Sequence, residues 1–223
     1  MAHPENNSGF SNSFTDLMTS LAVIFILLLC ASLNNAQQEG ESTRNLVLTE
    51  LQEELKEFMA KGVGIKTDPK DPLGLLILVP EGLLAFEFDR SEIPPDGEIF
   101  LKTFIPKLSK IICSKKFLKE INSIIVEGHT DSAGTAQHNW ELSQRRSMSV
   151  FRTSLSALDR IELKKEKSFF LQFLAASGRG SAELISDSTG EENAALSRRV
   201  IFKIRVRSIE QRPLIEILGP AIG

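Results

Sequence analysis

Cysteine and histidine are scarce in this chain of 223 residues, which holds two cysteines, Cys30 and Cys113, and three histidines. Two cysteines so far apart build neither a disulfide framework nor a four-ligand zinc site, and the histidine supply is thin for metal chemistry. No metal and no cofactor is therefore expected, and His129, before Thr130, reads as a local hydrogen-bonding residue. Neither a Gly-x-Ser-x-Gly elbow nor a phosphate loop occurs, and Cys113 on an amphipathic stretch is accounted for by core packing, so no enzyme is expected. A charge excess of one sign is missing too. The 26 Lys and Arg face 29 Asp and Glu, which excludes a strongly basic nucleic-acid binder. Lys and Arg are absent before Arg44. That absence removes the basic start a signal peptide needs and leaves the positive-inside rule nothing to compare.

What is present is unevenly spread. The 42% hydrophobic and 25% charged content suits a folded chain, but Leu21 to Leu29 reads LAVIFILLL without a charge. The stretch 14–33 has 20 residues, and a helix rising ~1.5 Å per residue would then cross the ~30 Å hydrocarbon layer. A transmembrane helix over 14–33 is expected, behind a short N-terminus, 1–13. Asp16 is its informative residue, because an ionised carboxylate inside a bilayer costs at least ~2.5 kcal/mol and usually marks an ion path. Thr19 and Ser20 share its helical face and supply hydroxyls, with Thr15 alongside. Asp16 as an N-terminal helix cap at the lipid interface fits the same residues.

Residues 34–72 read as a linker. Asn34 to Thr43 is polar and flexible, and Leu48, Leu51, Leu55 and Phe58 then recur at helical spacing. That stripe suits a short two-stranded coil or a helix lying on its own domain. Lys66 to Pro72, with two prolines, closes the linker. From 73 onward the pattern is mixed α/β. Strands are expected at 73–79 and 83–88 around Pro80-Glu81-Gly82, a helix after Pro94-Pro95 with Asp96 as its cap, and a strand at 121–127. A helix at 139–158 and strands at 169–175 and 200–206 follow. This order implies an α/β (α+β) sandwich with helices on one face of a mixed sheet, followed by a C-terminal tail at 208–223.

Two segments resemble known families. Phe14-Thr-Asp-Leu-Met-Thr-Ser-Leu before an aliphatic run resembles the signature of the B subunits of flagellar-type stator units. That resemblance implies that Asp16 carries the driving ion, that the N-terminus is cytoplasmic, and that the C-terminal part lies outside the inner membrane, in the periplasm. A single carboxylate near one end of an otherwise apolar helix points to a proton, since sodium usually needs several oxygen ligands, which a partner subunit would have to supply. Val126-Glu-Gly-His-Thr-Asp-Ser-Ala-Gly, then Asn139, then Leu142-Ser-Gln-Arg-Arg, resembles the peptidoglycan-binding OmpA-like domain. The likeness runs back to Phe86-Glu-Phe-Asp-Arg-Ser and forward to Gly178-Arg-Gly and Ser197-Arg-Arg-Val, so it covers about 73–207. It implies that Asp131 and Arg146, with Asn139 and Arg198, grip the diaminopimelate of the cell-wall stem peptide. Ser197 stands where that family usually has Asn, which weakens the transfer to Arg198. Asp and Arg suit a zwitterionic end, one accepting from its ammonium and the other donating to its carboxylate. Without the likeness, Asp131 reads equally as a turn residue, Asn139 as an N-cap and Arg146 as a solvated helix residue.

The chain departs from the flagellar pattern in lacking a basic N-terminal tail and in joining membrane helix to wall domain by only about 40 residues. In both it resembles the B subunit of the Zorya anti-phage defence system, a family in which five copies of a multi-helix, MotA-like membrane partner surround a wall-anchored pair of B subunits. A homodimer beside such a partner is expected, with the 48–58 stripe as its pairing face. A flagellar-type stator subunit and a passive wall tether are the alternatives.

Overall fold

The apolar run and the polar stretch behind it form one helix. In the computed structural model, which describes residues 8–84, 86–160 and 163–207, α1 runs unbroken over Ser8–Glu54, a rod of about 70 Å at ~1.5 Å per residue. Its apolar part is exposed on all sides, and it is long and apolar enough to cross a membrane. The polar stretch 34–43 is therefore helical rather than flexible. No proline interrupts it, and Gly40 is where the helix meets the domain, since a Cβ there would lie 2.6 Å from a Leu73 methyl. Beyond Gly40, Val47, Leu51, Leu55 and then Phe58 of α2 (Lys56–Met59) are buried. Phe58 packs edge-on against Phe100 and Phe104, with ring centres 5.9 and 5.2 Å away. Ion pairs Glu57–Lys107 and Glu50–Lys116 flank it. Of the two readings of the 48–58 stripe, the helix lying on its own domain is the one that forms, so this face is spent within the chain.

The sheet also begins before the expected boundary at 73. The expected linker 66–72 overlaps β1 (Gly64–Thr67), an edge strand antiparallel to β2 (Gly74–Pro80). Pro80 ends β2, and no strand forms among the described residues of 83–88. Glu81–Leu84 forms a single helical turn, α3, whose Leu84 carbonyl sits where a Cβ on Gly97 would be. α4 (Pro95–Ile112) starts with Pro94 as its N-cap and Pro95 in its first turn, so Asp96 is not the cap but an acid facing the positive helix end. β3 (Ile121–His129) is followed by α5 (Ala136–Arg160) and α6 (Lys164–Phe173), then β4 (Leu174–Gly178). The run 169–175 is thus mostly helix: Phe169 and Phe173 are one turn apart, with ring centres 4.6 Å apart, a helical rather than an alternating pattern. After α7 (Ala194–Ser197), β5 (Arg199–Val206) closes the sheet. The expected tail at 208–223 lies outside the described residues.

Strand order is β1-β2-β5-β3-β4, with β3 and β4 parallel and the other pairs antiparallel. The sheet is mixed, as expected. Leu75, Ile77, Val79, Phe202, Ile204, Ile124 and Val126 line its buried face, and Phe104 of α4 touches Phe202 with ring centres 5.6 Å apart. α5 comes closest. A Cβ on Gly128 would lie 2.3 Å from the Ser143 carbonyl oxygen, and one on Gly178 2.5 Å from the Gln144 nitrogen. These two glycines let the helix backbone sit directly on β3 and β4.

Candidate functional site

Antiparallel pairing brings three strand ends to one end of the sheet. Pro80 at the close of β2 faces Arg199 at the start of β5, and Arg199 also faces His129 at the close of β3. The residues just past those pairs, Glu81, Arg198 and Asp131, therefore converge. Arg146 arrives from α5, whose height above the sheet is set by the glycine contacts and by Ser143 and Gln144. Ser143 Oγ accepts from the Gly180 N–H (2.9 Å) and Gln144 Oε1 from the Gly178 N–H (2.6 Å). Much of the motif around Arg146 is a device for placing that one side chain.

Together they line a cavity of about 450 Å³ with Phe86, Phe88, Asp89, His138 and Asn139. All four residues expected to bind wall peptide are here. Asp131 and Arg146 nevertheless do not face each other alone. Arg198 Nη1 lies 2.7 Å from Asp131 Oδ2, Arg198 Nε also pairs with Glu81, and Glu81 Oε1 lies 2.9 Å from Arg146 Nη1. Charges alternate along the chain Asp131, Arg198, Glu81, Arg146. Arg198, the weakest expectation, is thus central, while the Ser197 that replaces Asn is buried and accepts from the Ile185 N–H at 2.9 Å.

Arg146 is no solvated helix residue. Its side chain is 6% exposed, its Nε donates to the Arg90 carbonyl (2.9 Å), its Nη2 to the Glu87 carbonyl (3.2 Å), and its guanidinium lies 4.8 Å from the Phe86 ring centre. Burial pulls its pKa down, opposed by Glu81, whereas the hydrogen bond to Asp131 pushes that of Arg198 up. Asp131 is a turn residue as well as a pocket residue, because its Oδ1 accepts from the Ala133 N–H at 3.2 Å. Asn139 is not the N-cap of α5. Thr135 precedes the helix, and its hydroxyl accepts from the His138 N–H (3.2 Å). The buried Asn139 amide instead donates to the carbonyls of Asp131 (3.2 Å) and Ala133 (2.8 Å), clamping the Asp131 loop.

Three pocket residues escape sequence reasoning. Glu81 reads as part of a turn, and nothing local signals its two arginine partners. His138 Nε2 lies 2.7 Å from Asp89 Oδ1, tying the 87–90 loop to the start of α5. His129 shows the reverse. It is buried, Glu127 stands 3.8 Å off, and neither ring nitrogen makes a hydrogen bond to a neighbour among the described residues, so the expected local hydrogen bond is not seen there. In the apolar helix, Asp16 follows Ser8 by two turns and is therefore not the helix cap. Thr19 on its face donates its hydroxyl proton to the Thr15 carbonyl (2.8 Å).

Known proteins resemble this chain in sequence and in fold. The model of the OmpA family matches residues 85–198. Zorya protein ZorB of Escherichia coli strain Crooks is 26% identical over 208 residues, 86% of each chain. Zorya protein ZorB of Escherichia coli O139:H28 is 27% identical over 218 residues, 93% of this chain and 85% of that one. A crystal structure of a MotB-like protein from Desulfovibrio vulgaris superposes with a TM-score of 0.55 at 24% identity, covering 77% of this chain and 96% of that one. This likeness concerns the fold.

Proposed function

The chain belongs to the OmpA family, and on that premise we propose that it is the wall-anchored B subunit of an ion-driven, stator-like complex of the bacterial inner membrane, serving anti-phage defence as in the Zorya family it resembles. The observation that carries the reading is the union of two features in one chain. Asp16 is the sole charged residue between Ser8 and Gln38, on a helix whose apolar side chains over 14–33 are exposed. At the other end stands a pocket of two guanidiniums and two carboxylates.

The pocket suits the zwitterionic end of diaminopimelate in a stem peptide. Asp131 accepts from its ammonium, and Arg146 and Arg198 donate to its carboxylate. Asp16 is the proton carrier. One helix with one acid cannot enclose a path, so a multi-helix, MotA-like partner must surround it, five copies around two of this chain. Pairing of two copies has to use a surface other than 48–58, since that face is buried in the domain. Wall binding places the C-terminal domain in the periplasm and the N-terminus in the cytoplasm.

Asp16→Asn in the full chain, expressed with its membrane partner, tests the reading. Phage protection should be lost while the protein still pellets with purified sacculi. Protection at the wild-type level would refute the ion-carrying role and leave a passive tether. Failure of the wild-type protein to pellet would refute the anchor.

A further inference from the structure

Glu81 pairs with both pocket arginines and has no role in the reading above. It follows Pro80, which pairs with Arg199, so Glu81 and Arg198 both lie just past the end of the β2–β5 ladder. Its side chain is 18% exposed, and its two oxygens are divided between two guanidiniums, Oε1 to Arg146 and Oε2 to Arg198. We propose that Glu81 is a specificity-determining residue: it holds Arg146 and Arg198 as a converging pair and sets the pocket to accept an ammonium together with a carboxylate rather than carboxylates alone. The inference rests on the wall-anchor reading of this pocket.

The argument is one of charge and of donors. Two guanidiniums converging on one site repel each other, and the carboxylate between them offsets that repulsion. Each arginine has five N–H donors. Arg146 spends Nε on Arg90, Nη2 on Glu87 and Nη1 on Glu81; Arg198 spends Nε on Glu81 and Nη1 on Asp131. Donors remain on both residues for a ligand carboxylate while Glu81 stays in place. With Glu81 the chain Asp131, Arg198, Glu81, Arg146 is neutral, matching a ligand end that carries one charge of each sign. Without that carboxylate the same residues carry a net positive charge, which repels an ammonium and attracts a second carboxylate.

Diaminopimelate and pimelate share one seven-carbon dicarboxylate skeleton and differ in the two ammonium groups, so their relative affinity reads this property directly. The full chain in detergent is titrated with each compound by calorimetry. Wild type should prefer diaminopimelate, and in Glu81→Gln that preference should fall by roughly tenfold or more, the size of one charge-assisted contact. Glu81→Asp, which keeps the charge, should retain a preference for diaminopimelate. Glu81→Ser is made in parallel, and the ratio is read for each neutral variant below its own unfolding transition. A folded neutral variant that keeps the wild-type ratio, that binds neither compound, or that binds both more tightly would overturn the inference; the last result would make Glu81 a competitor for the arginines. If wild type binds diaminopimelate no better than pimelate and does not pellet with sacculi, the wall-anchor reading itself has failed.

Discussion

Arg146 and Arg198 line the same pocket but should fail in different ways when truncated. Arg146→Ala removes a side chain that is 6% exposed, together with its ion pair to Glu81 at 2.9 Å, its bonds to two loop carbonyls at 2.9 and 3.2 Å, and its contact with Phe86. Removing one partner of a buried ion pair costs roughly 3–5 kcal/mol. Glu81 keeps Arg198, so the lower end, about 3 kcal/mol, applies. For a chain of this size that is a fall of roughly 10 °C in unfolding temperature. Arg198 is 37% exposed along its side chain. Water screens its two pairs, and truncation should cost about 1 kcal/mol or less, a shift of roughly 3 °C at most. Both variants should lose at least about tenfold in sacculus binding, since each withdraws charge-assisted donors. Thermal unfolding of the full chain in detergent, followed by pelleting with sacculi below the lower transition, measures both quantities. If the two variants melt together, or Arg198→Ala melts first, the burial argument is wrong.

Gly128→Ala should destabilise the domain by roughly 1–3 kcal/mol and weaken sacculus binding, because the new Cβ, built 2.3 Å from the Ser143 carbonyl oxygen, pushes α5 and Arg146 off the sheet; wild-type denaturant midpoints would refute this. His129 predicts a pH dependence with a definite sign. Burial pulls its pKa below the ordinary imidazole value, with Arg199 adding to the fall and Glu127 and Glu183 opposing it. The folded state therefore holds the ring neutral, and the unfolded chain takes up the proton first. Its contribution to stability is complete above about pH 6.5 and is lost as pH falls below that value, with a slope of at most ~1.36 kcal/mol per pH unit. Denaturant midpoints from pH 8 to pH 5 should show a decline that His129→Leu reduces; equal slopes in the two proteins would sink the assignment.

What the sequence by itself determined is local. The apolar run and its lone acid, the β2, β3 and β5 strands, the α4 and α5 helices, and the Gly128-to-Arg146 motif all follow from short-range periodicity or from one contiguous pattern. Elsewhere the local pattern is ambiguous. Phe169 to Ala175 is a continuous apolar run that fits strand or helix, and the polar 34–43 segment has no breaker to end the helix that precedes it. The fate of the 48–58 stripe was open for the same reason, because an apolar face specifies that it is covered but not by what. Tertiary structure alone decided that its cover is the chain's own α4. It alone placed Glu81 between Arg146 and Arg198, residues 65 and 117 positions away. Strand order and direction bring the ends of β2, β3 and β5 together, and that register is a property of the paired sheet, which no single strand's sequence carries.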